Sequence, residues 1–225
     1  MKKEVRRVWI VSLIAIAAVA ITVPVQAATV DWTQWTSKIF GTPGSASGTI
    51  AGTVNVTYTG ELFSAGDQGN WDQFLGTYTK PGVVDNQPSP NNISIQLVGG
   101  NSILNQIAFS TPVIDPVLAI QSLGSSDRAE YLFTQSFTIL AQGPGHWGGG
   151  ATSLSQSGNS LIGYEGNGII QFAGTYSLIS WTVPDGENYH MFTVGVPSAV
   201  PEPTSLLLLG LGLIGLGAAR RGCRR

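Results

Sequence analysis

The most regular feature of the chain is an alternation of apolar and polar side chains with a period of two. Over residues 49–59, apolar or small residues such as Ile50 and Val56 occupy the even positions, and polar or small residues occupy the odd ones. The pattern recurs over 93–97, and the aromatic residues of 131–140 fall on one face of an extended chain. Such a period is typical of a β-strand with one face in the core and the other in water. We therefore predict a strand in each segment.

Shorter apolar or β-branched runs, bounded by glycine, proline, serine or asparagine, predict further strands. They cover residues 107–109, 117–123, 168–172, 176–183 and 191–196. Helical spacing is confined to short turns near 33–39 and 72–75. The chain therefore predicts an all-β fold of eight or more strands, an antiparallel β-sandwich of jelly-roll type, with a closed barrel as the alternative.

Turn-forming residues predict how these strands are connected. The segment 184–186, Pro-Asp-Gly, separates two predicted strands, and its proline and glycine favour a hairpin. The glycine-rich stretch 143–150 cannot continue a regular strand and predicts a surface loop. A second loop is predicted over 163–168, around Glu165 and Asn167.

The N-terminal segment has the organisation of a cleaved secretory signal peptide. A basic start precedes an apolar stretch over 8–23, and small residues at Val25 and Ala27 provide a cleavage site. Pro24 ends the apolar stretch, which favours a cleaved signal helix over a permanent membrane helix. We predict that the mature chain begins at Ala28; an uncleaved N-terminal anchor is the alternative.

A short apolar stretch and a basic cluster close the chain. Residues 206–219 are apolar and glycine-rich. As a helix they would span about 21 Å, less than the roughly 30 Å of a hydrocarbon core. The arginines that follow resist translocation and keep the extreme C-terminus in the cytoplasm; they are Arg220, Arg221, Arg224 and Arg225. The pattern predicts a short transmembrane helix, with an ordinary permanent anchor as the alternative.

Pro201, Glu202 and Pro203 precede this stretch and complete a three-part tail. A Pro-Glu-Pro motif, a short Gly-containing apolar segment and a terminal arginine cluster resemble the PEP-CTERM sorting signal of exopolysaccharide-producing Gram-negative bacteria. The resemblance covers about residues 199–225. It implies that an integral-membrane exosortase recognises the tail and cuts near Pro-Glu-Pro, so that the chain is a substrate. Cys223, the only cysteine, departs from the pattern and is a candidate lipidation site.

These two ends divide the chain into a signal peptide (1–27), an exported β-sandwich domain (28–197) and a sorting tail (198–225). Eight of the 11 basic residues lie in the ends. Between Ala28 and Pro203, three basic and 12 acidic residues leave a net charge of −9. This charge disfavours binding to nucleic acid and favours solubility in the periplasm or matrix. Bridging by Ca²⁺ within a polyanionic matrix is a functional alternative.

Catalytic chemistry is weakly represented in the body. His146 and His190 have neither the spacing of a zinc pair nor an adjacent nucleophile motif, and we expect polar surface or loop positions for both. Residues 67–72 lack the order of an EF-hand and predict a plain hairpin loop, with a Ca²⁺ loop as the alternative because oxygen ligands alternate there. Asp185 and Glu187 would serve a glycosidase only across a cleft. We therefore predict no enzymatic activity, no catalytic residue, no metal and no cofactor.

The tryptophans give the best indication of a ligand. Trp32, Trp35, Trp71 and Trp147 lie in polar or glycine-rich surroundings, whereas Trp181 alternates with apolar residues and is expected in the core. Exposed indole rings stack on sugars, and Trp71 and Trp147 are the candidate stacking residues. We favour for each ring the commoner role of a large amphipathic side chain, which is to cap an end of the sandwich.

Two functions follow from these features. The first is that of a cell-surface or exopolysaccharide-matrix protein, exported by a Gram-negative bacterium, transiently anchored in the inner membrane and cut by an exosortase-type enzyme. The second is that of a lectin-like module that binds carbohydrate, with exopolysaccharide as its partner. A secreted hydrolase is a third and less favoured interpretation.

Overall fold

The computed structural model describes residues 28–66, 70–74, 76–90, 92–198 and Gly210. The predicted signal peptide, the Pro-Glu-Pro motif, the apolar tail segment apart from Gly210 and the arginine cluster lie outside the described residues. The structure therefore leaves the two predicted terminal helices as predictions. Within the described ranges, no helix has the length and apolar character needed to cross a bilayer.

The described residues form fifteen β-strands connected by turns and loops. In chain order the strands are β1 (Val30–Trp32), β2 (Gln34–Ile39), β3 (Gly41–Ile50), β4 (Val54–Leu62), β5 (Ser64–Gly66), β6 (Ser94–Gly99), β7 (Asn105–Ile114), β8 (Val117–Leu123), β9 (Ala129–Phe133), β10 (Thr138–Gln142), β11 (Leu154–Ser157), β12 (Ser160–Gly163), β13 (Gly166–Gln171), β14 (Thr175–Thr182) and β15 (Gly186–Pro197). The prediction of an all-β fold with eight or more strands is confirmed. β8 covers the predicted residues 117–123 in full.

The strands form two antiparallel sheets. Sheet A has the order β10-β13-β8-β15-β6-β5, with β1 also paired to β15. Sheet B has the order β11-β12-β9-β14-β7-β4-β3-β2. From β6 to β9, and again from β12 to β15, each strand lies in the opposite sheet from the strand before it. The connections between the sheets therefore collect at the two ends of the strands.

The two sheets share one aromatic core. Phe192 of sheet A contacts Trp181 of sheet B with ring centroids 5.1 Å apart and rings at 90°. It also contacts Tyr58 of sheet B at 5.3 Å and 65°. All three side chains are buried, and the predicted core position of Trp181 is confirmed. Full burial of a side chain such as Phe192 contributes roughly 1.5–3 kcal/mol, so contacts of this kind stabilise the body without disulfides.

A second apolar cluster covers the outer face of sheet A. It joins Trp71 and Tyr78 to Val117 of β8 and Trp32 of β1. The rings of Trp71 and Tyr78 lie 4.9 Å apart at 85°, and Trp71 is fully buried. The expectation that Trp71 presents an accessible ring is wrong, because the chain around it folds over β8 and uses the indole as a core side chain.

The segment 49–59 contains a turn that its alternation hides. β3 ends at Ile50, β4 begins at Val54, and these two residues are paired across the hairpin. Ala51 and Gly52 have φ of 50° and 67°, the left-handed values that a tight hairpin requires. The prediction of one continuous strand is wrong, because small residues fit an alternating pattern and a turn equally well.

Residues 131–140 also belong to two strands. β9 lies in sheet B and β10 lies in sheet A, so the chain changes sheets over 134–137. Phe137, within this crossover, is buried and its ring contacts those of Phe133 and Phe172. The single predicted strand is wrong because a connection, rather than a strand, delivers this aromatic residue to the core.

Two other local predictions are wrong for related reasons. Residues 184–186 lead from β14 of sheet B to β15 of sheet A, so they form a crossover between sheets and not a hairpin. Instead of a helical turn, the segment 33–39 contains β2, the edge strand of sheet B. The side chain of Trp35, on this strand, is buried, and the polar residues that follow it are exposed. A short amphipathic helical turn would give the same sequence pattern.

Candidate functional site

An exposed aromatic cluster lies at the loop between β10 and β11. We call Trp147, Tyr189, His146 and Glu165 the Trp147 platform. Trp147 is 38% exposed, and its ring is nearly perpendicular to that of Tyr189, at 87° with centroids 5.3 Å apart. The ring of His146 lies 4.7 Å from that of Trp147, also between centroids, at an angle of 82°. Trp147 therefore packs between His146 of the loop and Tyr189 of β15. The loop lies at the protein surface, as its glycine-rich sequence predicts.

Asn167 on β13 holds this loop in place. Its Oδ1 accepts hydrogen bonds from the backbone N–H of Ser122 at 2.9 Å and the hydroxyl of Tyr78 at 3.4 Å. Its Nδ2 donates to the carbonyl oxygens of Gly148 at 3.2 Å and Glu165 at 2.6 Å. Each donor and acceptor position of the carboxamide is therefore used. Because the side chain is also buried, Asn167 acts as a polar hub beneath the platform.

The glycines of the loop permit this close contact. A Cβ at Gly145 would overlap the Asn167 carboxamide. A Cβ at Gly149 would overlap the carbonyl oxygen of Glu165, and its φ of 82° also favours glycine. The glycine-rich composition therefore reflects a tight approach of the loop backbone to the hub.

Ser122 and Glu165 connect the hub to the platform. Both have positive φ without being glycine, at 58° and 52°, a strained conformation that concentrates at functional sites. The Ser122 hydroxyl donates to Oε2 of Glu165 at 2.7 Å and thereby orients the carboxylate. Burial, and then the Glu165 carboxylate, raise the pKa of Tyr189. The carboxylate therefore lies within electrostatic range of the second ring of the platform.

Gln73 and Thr77 of a neighbouring segment support the platform loop. Nδ1 of His146 lies 2.7 Å from Oε1 of Gln73. The hydroxyl of Thr77 donates to the carbonyl oxygen of Pro144 at 2.9 Å. Two segments that the sequence presents as separate loops therefore meet at this end of the body.

The platform and the last described residues of the body lie at opposite ends of β15. Tyr189 is near the start of this strand, whereas Pro197 at its end pairs with Val30 of β1. At about 3.3 Å per residue, the extended chain between Tyr189 and Pro197 spans roughly 26 Å. Ser198, the first residue of the predicted sorting tail, is therefore remote from the platform.

Of the two predicted stacking residues, the structure places only Trp147 at the surface. Trp71 lies in the buried cluster over β8, where it packs near Tyr78. Trp32 and Trp35 are also buried, at 6% and 4% exposure, so their polar sequence surroundings do not indicate accessible rings. The stacking role of Trp147 stays a prediction.

His190 is a core residue. It is fully buried, and its Nδ1 lies 2.6 Å from Oε1 of Glu187. The same oxygen accepts a hydrogen bond from the backbone N–H of Gly124 at 2.7 Å. The expected surface or loop position is wrong for His190, whereas His146 does lie on an exposed loop. In the part of the chain that the structure describes, no group of three or more His, Cys, Asp or Glu side chains could hold a metal ion.

Sequence reasoning does not identify Tyr189 or Ser122 as part of a site, and it assigns Asn167 to a loop. Asn167 instead lies in β13, and only Tyr164 and Glu165 separate that strand from β12. A polar residue between two glycines at the start of a predicted strand is the signal that could have indicated a buried hub. Nothing local marks Tyr189, because its importance depends on a loop some forty positions earlier.

The arrangement suits binding by ring contact and hydrogen bonding. Trp147 offers indole surface, Glu165 offers a carboxylate, and the hub fixes both. A site held by buried hydrogen bonds needs little reordering when a ligand binds, which reduces the entropic cost of association.

Residues 199–225 match the family model of the PEP-CTERM protein-sorting motif. The matched range contains the Pro-Glu-Pro motif, the apolar segment and the arginine cluster, so the predicted resemblance is confirmed. No match was found among curated proteins or solved structures. A motif of this kind implies export, transient membrane anchoring in a Gram-negative bacterium and an exosortase as the processing partner. The chain therefore carries a PEP-CTERM protein-sorting motif at its C-terminus.

Proposed function

We propose that this protein is delivered to the cell surface or the exopolysaccharide matrix after its tail is cut near Pro201–Pro203 by an exosortase-type enzyme. The sorting motif over 199–225 carries this proposal. The acidic body adds support, because a net charge of −9 between residues 28 and 203 keeps an exported domain soluble. The segment over 206–219, which is short for a permanent span, also favours processing.

The end of the body is compatible with removal of the tail. The backbone N–H of Ser198 donates to the carbonyl oxygen of Thr29 at 2.8 Å, and its hydroxyl donates to Asp31 at 2.9 Å. β15 is also paired with β1, β6 and β8. The last strand therefore keeps its partners within the body, and cleavage after Ser198 would leave the fold closed.

Replacing all four tail arginines by serine in the full chain tests the sorting proposal. Without the basic cluster the apolar segment has no stop to translocation, so we expect the uncut protein in the periplasm or medium. Cell fractionation followed by immunoblotting measures the distribution. Unchanged delivery and an unchanged C-terminus in this variant would contradict the proposal.

We also infer that the body is a jelly roll. The strand order supports this connectivity: β6-β15-β8-β13 in sheet A and β7-β14-β9-β12 in sheet B. Taken in chain order, these eight strands change sheets at every step except from β9 to β12, which are neighbours in sheet B, and this order matches two Greek keys. The other strands extend the edges of the two sheets or cover a face.

A second candidate function is carbohydrate binding at the Trp147 platform, favoured by the exposure of Trp147 beside the oriented Glu165 carboxylate. Retention of the exported protein on purified exopolysaccharide tests it. We expect Trp147→Ala to abolish retention. Phe63→Ala is the matched control, because Phe63 is an exposed aromatic residue on another part of the body, at 60% exposure. Retention that survives Trp147→Ala would exclude the platform.

We further propose that the protein binds without catalysing a reaction. Glu187 accepts hydrogen bonds from the body itself, and Asp185 pairs with Arg128 at 2.8 Å. These contacts occupy the two carboxylates that would form an acid pair. Release of reducing ends from purified exopolysaccharide by the wild-type protein would contradict this proposal.

A further inference from the structure

We propose that the corner between Trp147 and Tyr189 binds the ammonium group of an amino sugar, with the Glu165 carboxylate as its counter-charge. This inference rests on the carbohydrate-binding role and goes beyond it by naming the sugar chemistry. The ligand class is a polymer that contains deacetylated amino sugars, each of which carries one positive charge when its amine is protonated.

The ring geometry forms a corner suited to a cation. The planes of Trp147 and Tyr189 meet at 87° with centroids 5.3 Å apart, and His146 packs against Trp147 at 82°. A cation within about 6 Å of an aromatic centroid is attracted by the electron-rich face, and indole gives the strongest attraction. A group in such a corner can therefore contact two aromatic side chains at once.

The carboxylate supplies the charge that a neutral sugar would not need. Oε2 of Glu165 accepts one hydrogen bond from Ser122, which fixes its direction, and the carboxylate acts electrostatically on Tyr189. Among the described residues, no lysine or arginine forms an ion pair with Glu165: the described ion pairs of Arg128 are with Glu130 and Asp185. The negative charge of Glu165 therefore remains available to a ligand.

A neutral pyranose would need only a flat indole surface and hydrogen-bond partners. The platform adds a perpendicular ring and an oriented carboxylate. These additions favour an ammonium group over a hydroxyl, because charge attraction and cation–π attraction both require a positive ligand. The acidic body increases the encounter rate with such a polymer.

Binding of the exported, processed protein to three polymers tests the inference. The probes are fully deacetylated polyglucosamine, its N-acetylated counterpart of equal length, and polylysine as an ammonium source without sugar. We expect the wild type to bind the deacetylated polymer at least tenfold more tightly than the other two. Affinity electrophoresis at two salt concentrations measures each dissociation constant.

Two substitutions separate the contributions. We expect Trp147→Ala to weaken binding to deacetylated polyglucosamine about tenfold or more, and Glu165→Gln to weaken it by a similar factor. Asp127→Asn is the matched control, because it removes one exposed negative charge outside the platform. Thermal melting of each variant shows that the fold is retained, and Trp147→Phe retains a ring and should preserve part of the affinity.

Each contrary outcome has a distinct meaning. Equal losses from Glu165→Gln and Asp127→Asn would show general charge attraction and overturn the inference. Equal binding of the two glucosamine polymers, dependent on Trp147 and not on Glu165, would also overturn it while leaving carbohydrate binding intact. Equal platform-dependent binding of polylysine would overturn the sugar assignment. Failure of both glucosamine polymers and of purified exopolysaccharide to bind would remove the carbohydrate role itself.

Discussion

The backbone nitrogen of Ala28 lies 2.6 Å from Oδ2 of Asp85, and the backbone N–H of Asp85 donates to the carbonyl oxygen of Ala28 at 3.0 Å. The other carboxylate oxygen of Asp85 accepts a hydrogen bond from Gly82 at 2.7 Å. Ala28 is also the residue at which the sequence predicts that the mature chain begins. If cleavage occurs there, the new α-ammonium group lies next to a carboxylate that the fold already orients.

Replacing Asp85 by asparagine therefore weakens the attachment of the mature N-terminus. Because Asp85 is exposed, the ion pair is partly screened, and we expect the melting temperature of the processed protein to fall by about 1–3 °C. Differential scanning calorimetry at low and high salt measures the change. Asp127→Asn is the control, and an equal fall in that variant would contradict a specific role for Asp85.

Trp71 and Trp147 should respond differently to truncation. Trp71→Ala removes a fully buried ring that packs on Tyr78, so we expect a loss of about 3–5 kcal/mol in the free energy of unfolding. Trp147→Ala removes a partly exposed ring that contacts two others, and we expect a smaller loss of about 1 kcal/mol. Urea unfolding of both variants gives the comparison, and similar stability losses would contradict the positions described for the two rings.

The Asn167 hub should determine both stability and the shape of the platform. Asn167→Ala removes the partners of Ser122, Glu165 and Gly148, so we expect a loss of about 2–4 kcal/mol in the free energy of unfolding. The fluorescence of the exposed indole should also shift, because the loop loses its attachment. Asn188→Ala, at an exposed position of β15, is the control. A fully stable Asn167→Ala variant would show that the loop is held by other contacts.

Buried tyrosines predict a loss of stability at alkaline pH. Burial raises the pKa of Tyr58, Tyr78 and Tyr131 above the ordinary value of about 10. Their neutral forms contribute stability that is fully present below the unfolded-state pKa of about 10. This stability decreases as the pH rises from that value towards the folded-state pKa values.

We therefore expect the free energy of unfolding to decrease above about pH 10, and these three tyrosines to ionise largely on unfolding. Absorbance at 295 nm and circular dichroism, recorded together, measure ionisation and unfolding. Complete ionisation of all tyrosines at pH 11 with native circular dichroism would contradict the buried environments.

The sequence predicts strands well where the pattern of apolar and polar residues matches the burial of their side chains. The strand over 117–123 is buried on both faces, between the main core and the outer cluster, and its apolar run over 117–120 indicates a central strand. The alternation predicts β6 and β14 for the same reason, because one face of each strand packs into the core. The alternation of side chains along a strand depends only on the local geometry of the extended chain, so it can be recognised without knowing which strands are paired.

Prediction from the sequence is wrong at residues whose structural environment depends on contacts with segments far away in the chain. Ala51 and Phe137 both preserve an alternating pattern while the backbone turns or changes sheets. The sequence around Trp71 predicts a loop residue, because a local pattern does not show that its ring packs against Tyr78 and covers one face of β8. The platform is hidden similarly, since Tyr189 and Trp147 meet only after the sheets form.

C-terminal peptide mass spectrometry of the native protein, performed on separated inner membrane, periplasm and extracellular matrix, tests whether the tail is removed before the body reaches the matrix. We expect a matrix form that ends close to Pro203 and lacks residues 206–225. An intact tail found only in the inner membrane would show a permanently anchored domain and contradict delivery to the matrix.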